Sequence, residues 1–244
     1  IVKDPLNFTS DYIIHAASIA SPIVYRKYPI ETIQANVIGT QRLLDFAKNN
    51  SVKSFLFFSS SEIYGDPDPK FIPTLETYNG NVSCVGPRAC YDESKRLGET
   101  LCYNYFNKYN VKVKIVRPFN NYGPGLKIND RRVISDFFRS IINSNKIVLL
   151  SDGSATRTFC YVSDAIEGYL RALLSEENGE AFNIGNSSPE ISILELANLI
   201  GKVCDSNPII EYQKSVDKNY LKDNPNRRCP NTSKALNLLS FKAK

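Results

Sequence analysis

The chain has 244 residues, 42% of them hydrophobic and 23% charged, which suits one large or two modest globular domains. A net charge of +5 favours an anionic ligand but makes no case for nucleic acid, and no apolar run approaches the roughly 18 residues of a membrane-spanning helix. Six cysteines without a Cys-x-x-Cys pair, beside a single His, argue against a zinc or other metal site and for reduced thiols in a cytoplasmic setting; the N-terminus carries no secretory signal pattern.

In chain order, Asp11–His15 reads as a buried strand, with His15 a packed residue rather than a catalyst. Pro29–Asn49 has helical spacing, its apolar candidates being Ile30, Ile33, Val37, Leu43, Leu44 and Ala47. Val52–Phe58 is a second strand and runs into Ser59-Ser60-Ser61-Glu62. Residues 65–87 form a long loop rich in Pro, Asp, Asn and Gly, a length that inside a compact domain is usually functional. Tyr91–Tyr109 is a long helix with Leu97, Leu101, Tyr105 and Phe106 as inner-face candidates, and Val111–Val116 is a third strand. Strand, helix, strand, helix, strand implies right-handed parallel crossovers. After Pro124 come a helix opening near Ile128 and running to about Ser144, a strand at Ile147–Leu150 and a helix to about Leu174. A strand and turn at Phe182–Gly185, a helix at Ile193–Val203, a strand at Ile209–Tyr212 and a last helix at Asn231–Leu239 complete the chain. Ser192 with Glu195 three residues on has capping-box spacing.

The chemistry concentrates between Ser59 and Lys95. Positions four apart on a helix share a face, so Tyr91 and Lys95 point the same way. A free phenol titrates near pH 10, and moving it to about 7 takes roughly 4 kcal/mol, which one desolvated Lys and a positively charged cofactor ring together can supply. Taken alone, the pair is a weak signal and reads more readily as a surface Tyr and a surface Lys. The hydroxyl cluster shifts that balance, because ligands of open α/β sheets sit beyond the carboxyl ends of the strands, where Ser59, Ser60, Ser61 and Glu62 stand.

These motifs resemble extended short-chain dehydrogenase/reductases that act on nucleotide sugars, in the epimerase/dehydratase family, and among them the UDP-glucuronate decarboxylases most closely. Those carry Ser-Thr-Ser-Glu-Val-Tyr-Gly-Asp-Pro, here Ser59-Ser60-Ser61-Glu62-Ile63-Tyr64-Gly65-Asp66-Pro67. Their Glu-Thr-Tyr, Gly-Asn-Val and Gly-Pro-Arg-Ser-Cys-Tyr-Asp-Glu runs read here as Glu76-Thr77-Tyr78, Gly80-Asn81-Val82 and Gly86-Pro87-Arg88-Ala89-Cys90-Tyr91-Asp92-Glu93. The resemblance extends over nearly the whole chain and implies an α/β fold: a Rossmann-like doubly wound parallel sheet with a smaller α/β substrate domain. It divides the chain into an NAD-binding part at 1–124 and a nucleotide-sugar part at 125–244, with about 155–175 returning to the first. The family's Gly-rich turn is not in this sequence, nor is any Met, so one or more N-terminal strands are expected to be missing.

The same resemblance assigns roles. His15, Ala16, Ala17, Ser18, Asn36, Ser59 and Pro118 would line NAD, with Asn36 bracing the backbone near the active site. Tyr91 would take the proton of the sugar 4-hydroxyl, Lys95 would hold the phenolate and the nicotinamide ribose, and Ser60, where the family has Thr, would bond the same hydroxyl. Ser61 and Glu62 would handle protons around C5. Arg132 and Arg228 would serve the diphosphate, Arg157 the sugar carboxylate, Arg88 the active-site loop and Asn120 the sugar phosphate. Sugar 4,6-dehydratases carry an Asp at the position of Ser61, and 4-epimerases usually lack the Glu, so decarboxylation of UDP-glucuronate to UDP-xylose leads, with dehydratase and epimerase as alternatives and a non-catalytic nucleotide-binding relative as another. The family also implies a homodimer through the 29–49 and 91–109 helices.

Overall fold

The fold was taken from a computed structural model that describes residues 1–244. The elements are β1 (Tyr12–His15), α1 (Pro22–Lys27), α2 (Pro29–Asn36), α3 (Ile38–Asn49), β2 (Ser54–Phe58), α4 (Ala89–Tyr109), β3 (Val113–Pro118), β4 (Asn121–Tyr122), α5 (Val133–Ser144), β5 (Lys146–Leu149), β6 (Thr156–Arg157), β7 (Cys160–Tyr161), α6 (Val162–Leu174), β8 (Ala181–Ile184), β9 (Ile191–Ser192), α7 (Ile193–Val203), β10 (Ile209–Tyr212), β11 (Arg227–Arg228) and α8 (Ser233–Leu239).

Four strands pair in the order β1-β2-β3-β8, all parallel, with Ile14 against Leu56, Phe57 against Ile115 and Val116 against Phe182. The inner strands β2 and β3 are covered on both faces and buried nearly throughout, whereas β1, expected to be buried, alternates, with Ile13 and His15 inside and Tyr12 and Ile14 exposed. In β2 the side chains still divide by face. Phe55 and Phe57 join a core with Leu43, Leu44 and Phe46 of α3 and Cys102 of α4. Leu56 joins the opposite core with Ala165, Tyr169 and Leu173 of α6 and Ala235 and Leu239 of α8. The chain thus comes back to the first sheet after leaving it at β3. A third core lies apart, where α5 and α7 pack on the parallel pair β5 and β10 through Phe137, Ile141, Ile147, Leu149, Leu196 and Ile200. The capping box forms as its spacing requires: Glu195 N donates to Ser192 Oγ at 3.0 Å and Ser192 N donates to Glu195 Oε2 at 2.7 Å.

Three further expectations are corrected. The 29–49 helix is two helices, interrupted at Val37, and the first buries Thr32 and Asn36 while Ile30 and Ile33 face outward. The reason is polar anchoring: Asn36 Nδ2 donates to Ser94 Oγ on α4 at 2.8 Å, and this bond turns the polar side of α2 inward. In α4 the buried face is Tyr91, Asp92, Ser94, Lys95, Gly98 and Cys102, and Leu97 points out. The helix after Pro124 begins at Val133 rather than near Ile128, because Arg132 is extended, with φ −96° and ψ 154°.

Candidate active site

Helix α4 places its two key side chains by lying close to β2. A Cβ on Gly98 would stand 2.4 Å from the Phe57 ring, so only Gly allows that approach. One turn earlier Lys95, 2% exposed, donates from Nζ to the Phe58 carbonyl at 2.7 Å. Its ammonium lies 5.8 Å from the centroid of the Tyr91 ring. Burial pulls the Lys95 pKa down to about 7. The Tyr91 phenol is also buried, and burial pushes it up to about 12, although the Ser60 hydroxyl and the Arg132 guanidinium favour the phenolate. Lys95 alone therefore does not bring the phenol toward neutral pH; a positively charged nicotinamide ring beside Tyr91 would favour the phenolate further.

The hydroxyl cluster sits at the carboxyl end of β2, as its position in the sequence requires. Ser60 is the N-cap of a 3-10 turn at Ser61–Tyr64, and its Oγ accepts from Glu62 N at 3.2 Å. Ser59 and Ser61 are buried, and Ser61 lines a small cleft with Tyr64, Thr74, Phe119 and Arg228. Glu62 carries two guanidinium groups on a single oxygen: Arg228 at 2.7 Å, and Arg88 in a still shorter contact. Burial alone would raise this carboxyl, but Arg228 and Arg88 outweigh it and hold Glu62 down at about 2.

Arg228 stands directly opposite Arg157 in the parallel pair β6 and β11, and this pairing brings together residues far apart in the chain. Arg157 is buried and gives its guanidinium to the carbonyls of Thr156, Pro225 and Asn226, at 2.7, 2.6 and 3.1 Å. Burial, then the neighbouring Arg228, pull its pKa to about 9. Arg88, Arg157 and Arg228 thus gather around Glu62. Arg132 lies outside this group, half-exposed beside Asp130 at the start of α5. Asn120 has a positive φ of 41° and donates from Nδ2 to the Thr158 carbonyl at 2.8 Å, tying the end of β3 to the link between β6 and β7.

The expected NAD edge runs along the carboxyl ends of β1 and β2. His15 is buried, its Nε2 on Thr40 Oγ1 at 2.9 Å, and burial pulls its pKa to about 4. Ala16 and Ala17 are exposed beyond it. Ser18 Oγ, Ser59 Oγ and His15 Nδ1 are buried without a protein partner. Small residues and unspent polar atoms fit a dinucleotide laid across strand ends. Asn36 braces Ser94, whose Oγ donates to the Tyr91 carbonyl at 3.0 Å, and so steadies the first turn of α4. Pro118 ends β3, paired with Ile184.

Three contributors were missed in the sequence. Tyr25 on α1 stacks on Tyr91, and the signal for α1 was Ser21-Pro22, an N-cap residue followed by Pro at the first helical position. Asp92 lies within a motif that drew attention to its neighbours. Arg117 binds the carboxylate of Glu99 at 2.9 and 2.6 Å, Tyr64 Oη at 2.7 Å and the Glu76 carbonyl at 2.9 Å, and so joins α4, the 3-10 turn and the 65–87 loop.

A doubly wound parallel sheet with Tyr-x-x-x-Lys on the helix after a hydroxyl-bearing strand end defines an extended short-chain dehydrogenase/reductase. The sequence profile of the NAD dependent epimerase/dehydratase family matches residues 3–185, and the chain belongs to that family. UDP-glucuronic acid decarboxylase 4 of Arabidopsis thaliana is 41% identical over 243 residues, covering 100% of this chain and 53% of that protein. This chain spans about half the length of that relative. UDP-glucuronic acid 4-epimerase from Bacillus cereus, solved with UDP-glucuronic acid and NAD, superimposes with a TM-score of 0.79 at 26% identity, over 96% of this chain and 70% of that one. UDP-glucose 4-epimerase from Thermotoga maritima, at 23% identity, shares the fold with a TM-score of 0.85 over 96% of this chain and 72% of its own.

Proposed function

We propose that the protein decarboxylates a nucleotide uronic acid, UDP-glucuronate, to UDP-xylose with NAD as a recycled cofactor. The observation that carries this reading is the charge around Glu62. Buried Arg88 and Arg157 and half-buried Arg228 lie near Glu62, whose carboxylate is the one that Arg88 and Arg228 contact, so positive charge is concentrated next to Tyr91 and Ser60. Such a concentration suits a substrate bearing a carboxylate. Ser61 supports the same reading, because it offers a hydroxyl where water loss needs an acid. The names of the curated relatives point the same way.

NAD, when bound, supplies a hydride acceptor at C4 and returns the hydride later, so no external redox partner is needed. The chain's own residues do the rest. Tyr91 accepts the proton of the 4-hydroxyl and gives it back. Lys95 holds the ribose and favours the phenolate, and Ser60 orients the hydroxyl. With a ketone at C4, the C5 carboxylate is β to a carbonyl and leaves as carbon dioxide, and C5 takes up one proton. Glu62 stays ionised, and with Ser61 it orders the groups that deliver that proton.

A homodimer is part of the proposal, supported by outward apolar residues on adjoining helices: Ile30, Ile33 and Ile38 with Leu97 and Tyr103. A cytoplasmic setting is proposed from six cysteines that are all free thiols. No helix is long and apolar enough to cross a membrane.

The experiment is to offer the protein UDP-glucuronate and dTDP-glucose separately with NAD, following carbon dioxide and 4-keto-6-deoxy sugar. Carbon dioxide from the first and no dehydration of the second is the expected result. Dehydration of dTDP-glucose without decarboxylation transfers the assignment to a 4,6-dehydratase.

A further inference from the structure

Asp92 is the one buried carboxyl of the site that the proposed chemistry does not use. It follows Tyr91 on α4 and is 3% exposed. Its Oδ1 has no partner, and its Oδ2 stands 3.9 Å from Arg88 Nε, which is also without a partner. That separation is too long for a hydrogen bond. Arg88 meanwhile gives its terminal nitrogen to Glu62. Two carboxyls thus compete for one guanidinium, and Glu62, with Arg228 as well, has the closer contacts.

We infer that Asp92 is a charge-setting positioning residue: its carboxyl must be neutral for Arg88 and its neighbours to receive a substrate carboxylate. This inference rests on the reading of the site as one for a nucleotide uronic acid. The charges facing Asp92 come from every surrounding element. Arg88 caps α4 and Tyr91 stands on it beside Cys90, with Glu62 on the 3-10 turn, Tyr25 on α1, Arg228 on β11, and Asp223 on the segment before it. Burial, and then the nearby Glu62, raise the Asp92 pKa to about 8 against the pull of Arg88 and Arg228. Two neighbouring carboxyls in one site do not both ionise readily, and environments that push them apart assign one the charge and the other the proton.

The consequence is a count of charge. With Asp92 neutral, Glu62 is the one carboxylate drawing on Arg88; with Asp92 ionised, two carboxylates compete for it, and Arg88 is drawn from the substrate. Binding a carboxylate therefore favours the protonated form, and affinity falls as pH rises through the Asp92 pKa. If only the protonated form binds well, the fall between pH 7 and 9 is about tenfold. UDP-glucose shares the uridine and diphosphate but lacks the carboxylate, so the ratio of the two affinities isolates the effect.

The test is calorimetric titration of the NAD-loaded protein with UDP-glucuronate and with UDP-glucose from pH 7 to 9. The expected result is an affinity ratio that drops about tenfold in the wild type and is flat in Asp92→Asn, whose amide keeps the shape without a titrating proton. Titration at pH 8 in two buffers of different ionisation enthalpy should also show proton uptake with UDP-glucuronate that is lost in the variant. Should Asp92→Asn not fold, the wild-type ratio decides alone, and a flat ratio overturns the inference. Equal slopes in wild type and variant overturn it too. Carbon dioxide release at pH 7 is measured in parallel: release with a flat ratio sinks the role of Asp92 and leaves the decarboxylase standing, whereas no binding of UDP-glucuronate beside firm binding of UDP-glucose removes both.

Discussion

The ring of Tyr25 lies flat on the ring of Tyr91, with 5.1 Å between centroids and 9° between planes. Tyr25 is fully buried, its hydroxyl has no protein partner, and α1 reaches α4 again through Cys90, whose Sγ lies 3.7 Å from the Tyr25 carbonyl. A short helix outside the main sheet thus sets the plane of the Tyr91 phenol. Tyr25→Ala should cost about 3–5 kcal/mol in urea unfolding, with the loss of stacking itself about 0.5–1.5 kcal/mol of that. Tyr25→Phe keeps the stack and should stay within about 1 kcal/mol of wild type. A Tyr25→Ala protein as stable as wild type would show that the stack is incidental.

Tyr91→Phe removes the proposed proton acceptor while leaving the ring in place against Tyr25. Turnover of UDP-glucuronate should fall by about 10²–10⁴-fold, the range of general acid–base catalysis. UDP binding, followed by calorimetry, should be unchanged. Turnover within tenfold of wild type would remove Tyr91 from the chemistry.

Arg117 should matter to stability more than its distance from the reacting atoms suggests. It is buried, and replacing it with Leu strands Glu99 and unbonds Tyr64. Breaking a buried pair in this way costs about 3–5 kcal/mol. Arg117→Lys keeps the charge but loses the two-pronged contact, and should fall between. Equilibrium unfolding of both variants checks the order, and Lys at or below Leu would contradict it.

Glu62 gives a pH dependence with a definite sign. Its folded pKa, about 2, is below the usual 4.5, so its ionised form stabilises the fold. That contribution is full above the unfolded value and disappears as pH falls from about 4.5 through 2. The wild type should therefore lose stability across this window more steeply than Glu62→Gln, by of order 2–3 kcal/mol. Urea midpoints at pH 5, 4 and 3 measure the difference, and parallel curves for the two proteins would contradict the ion-pair geometry.

The outward apolar residues of α2, α3 and α4 carry the assembly prediction. Placing Asp at Ile38 and Leu97 together puts charge into the proposed contact and should give a monomer by light scattering at micromolar concentration, with little change in the unfolding midpoint of the monomer. A wild type that is already monomeric there would count against the proposed dimer.

Much of this arrangement was fixed by the sequence itself. The four-residue spacing of Tyr91 and Lys95 puts them on one helix face, the apolar run before Ser59 puts the hydroxyls at a strand end, and Ser192 with Glu195 starts α7 where they stand. These are local properties, because periodicity and capping act within one element. Only the tertiary structure decided which helix faces turn inward, and it chose against hydropathy at Ile30, Ile33 and Leu97 because Asn36, Ser94 and Gly98 set the contacts between α2, α4 and β2. It also decided which charges meet. Arg157 and Arg228 become neighbours through strand pairing, Arg88 joins them from the start of α4, and Tyr25 arrives from α1. The protonation of Tyr91, Glu62 and Asp92 follows from those meetings. A pKa depends on burial and on the charges within a few ångströms, and no residue carries either of these in its own position along the chain.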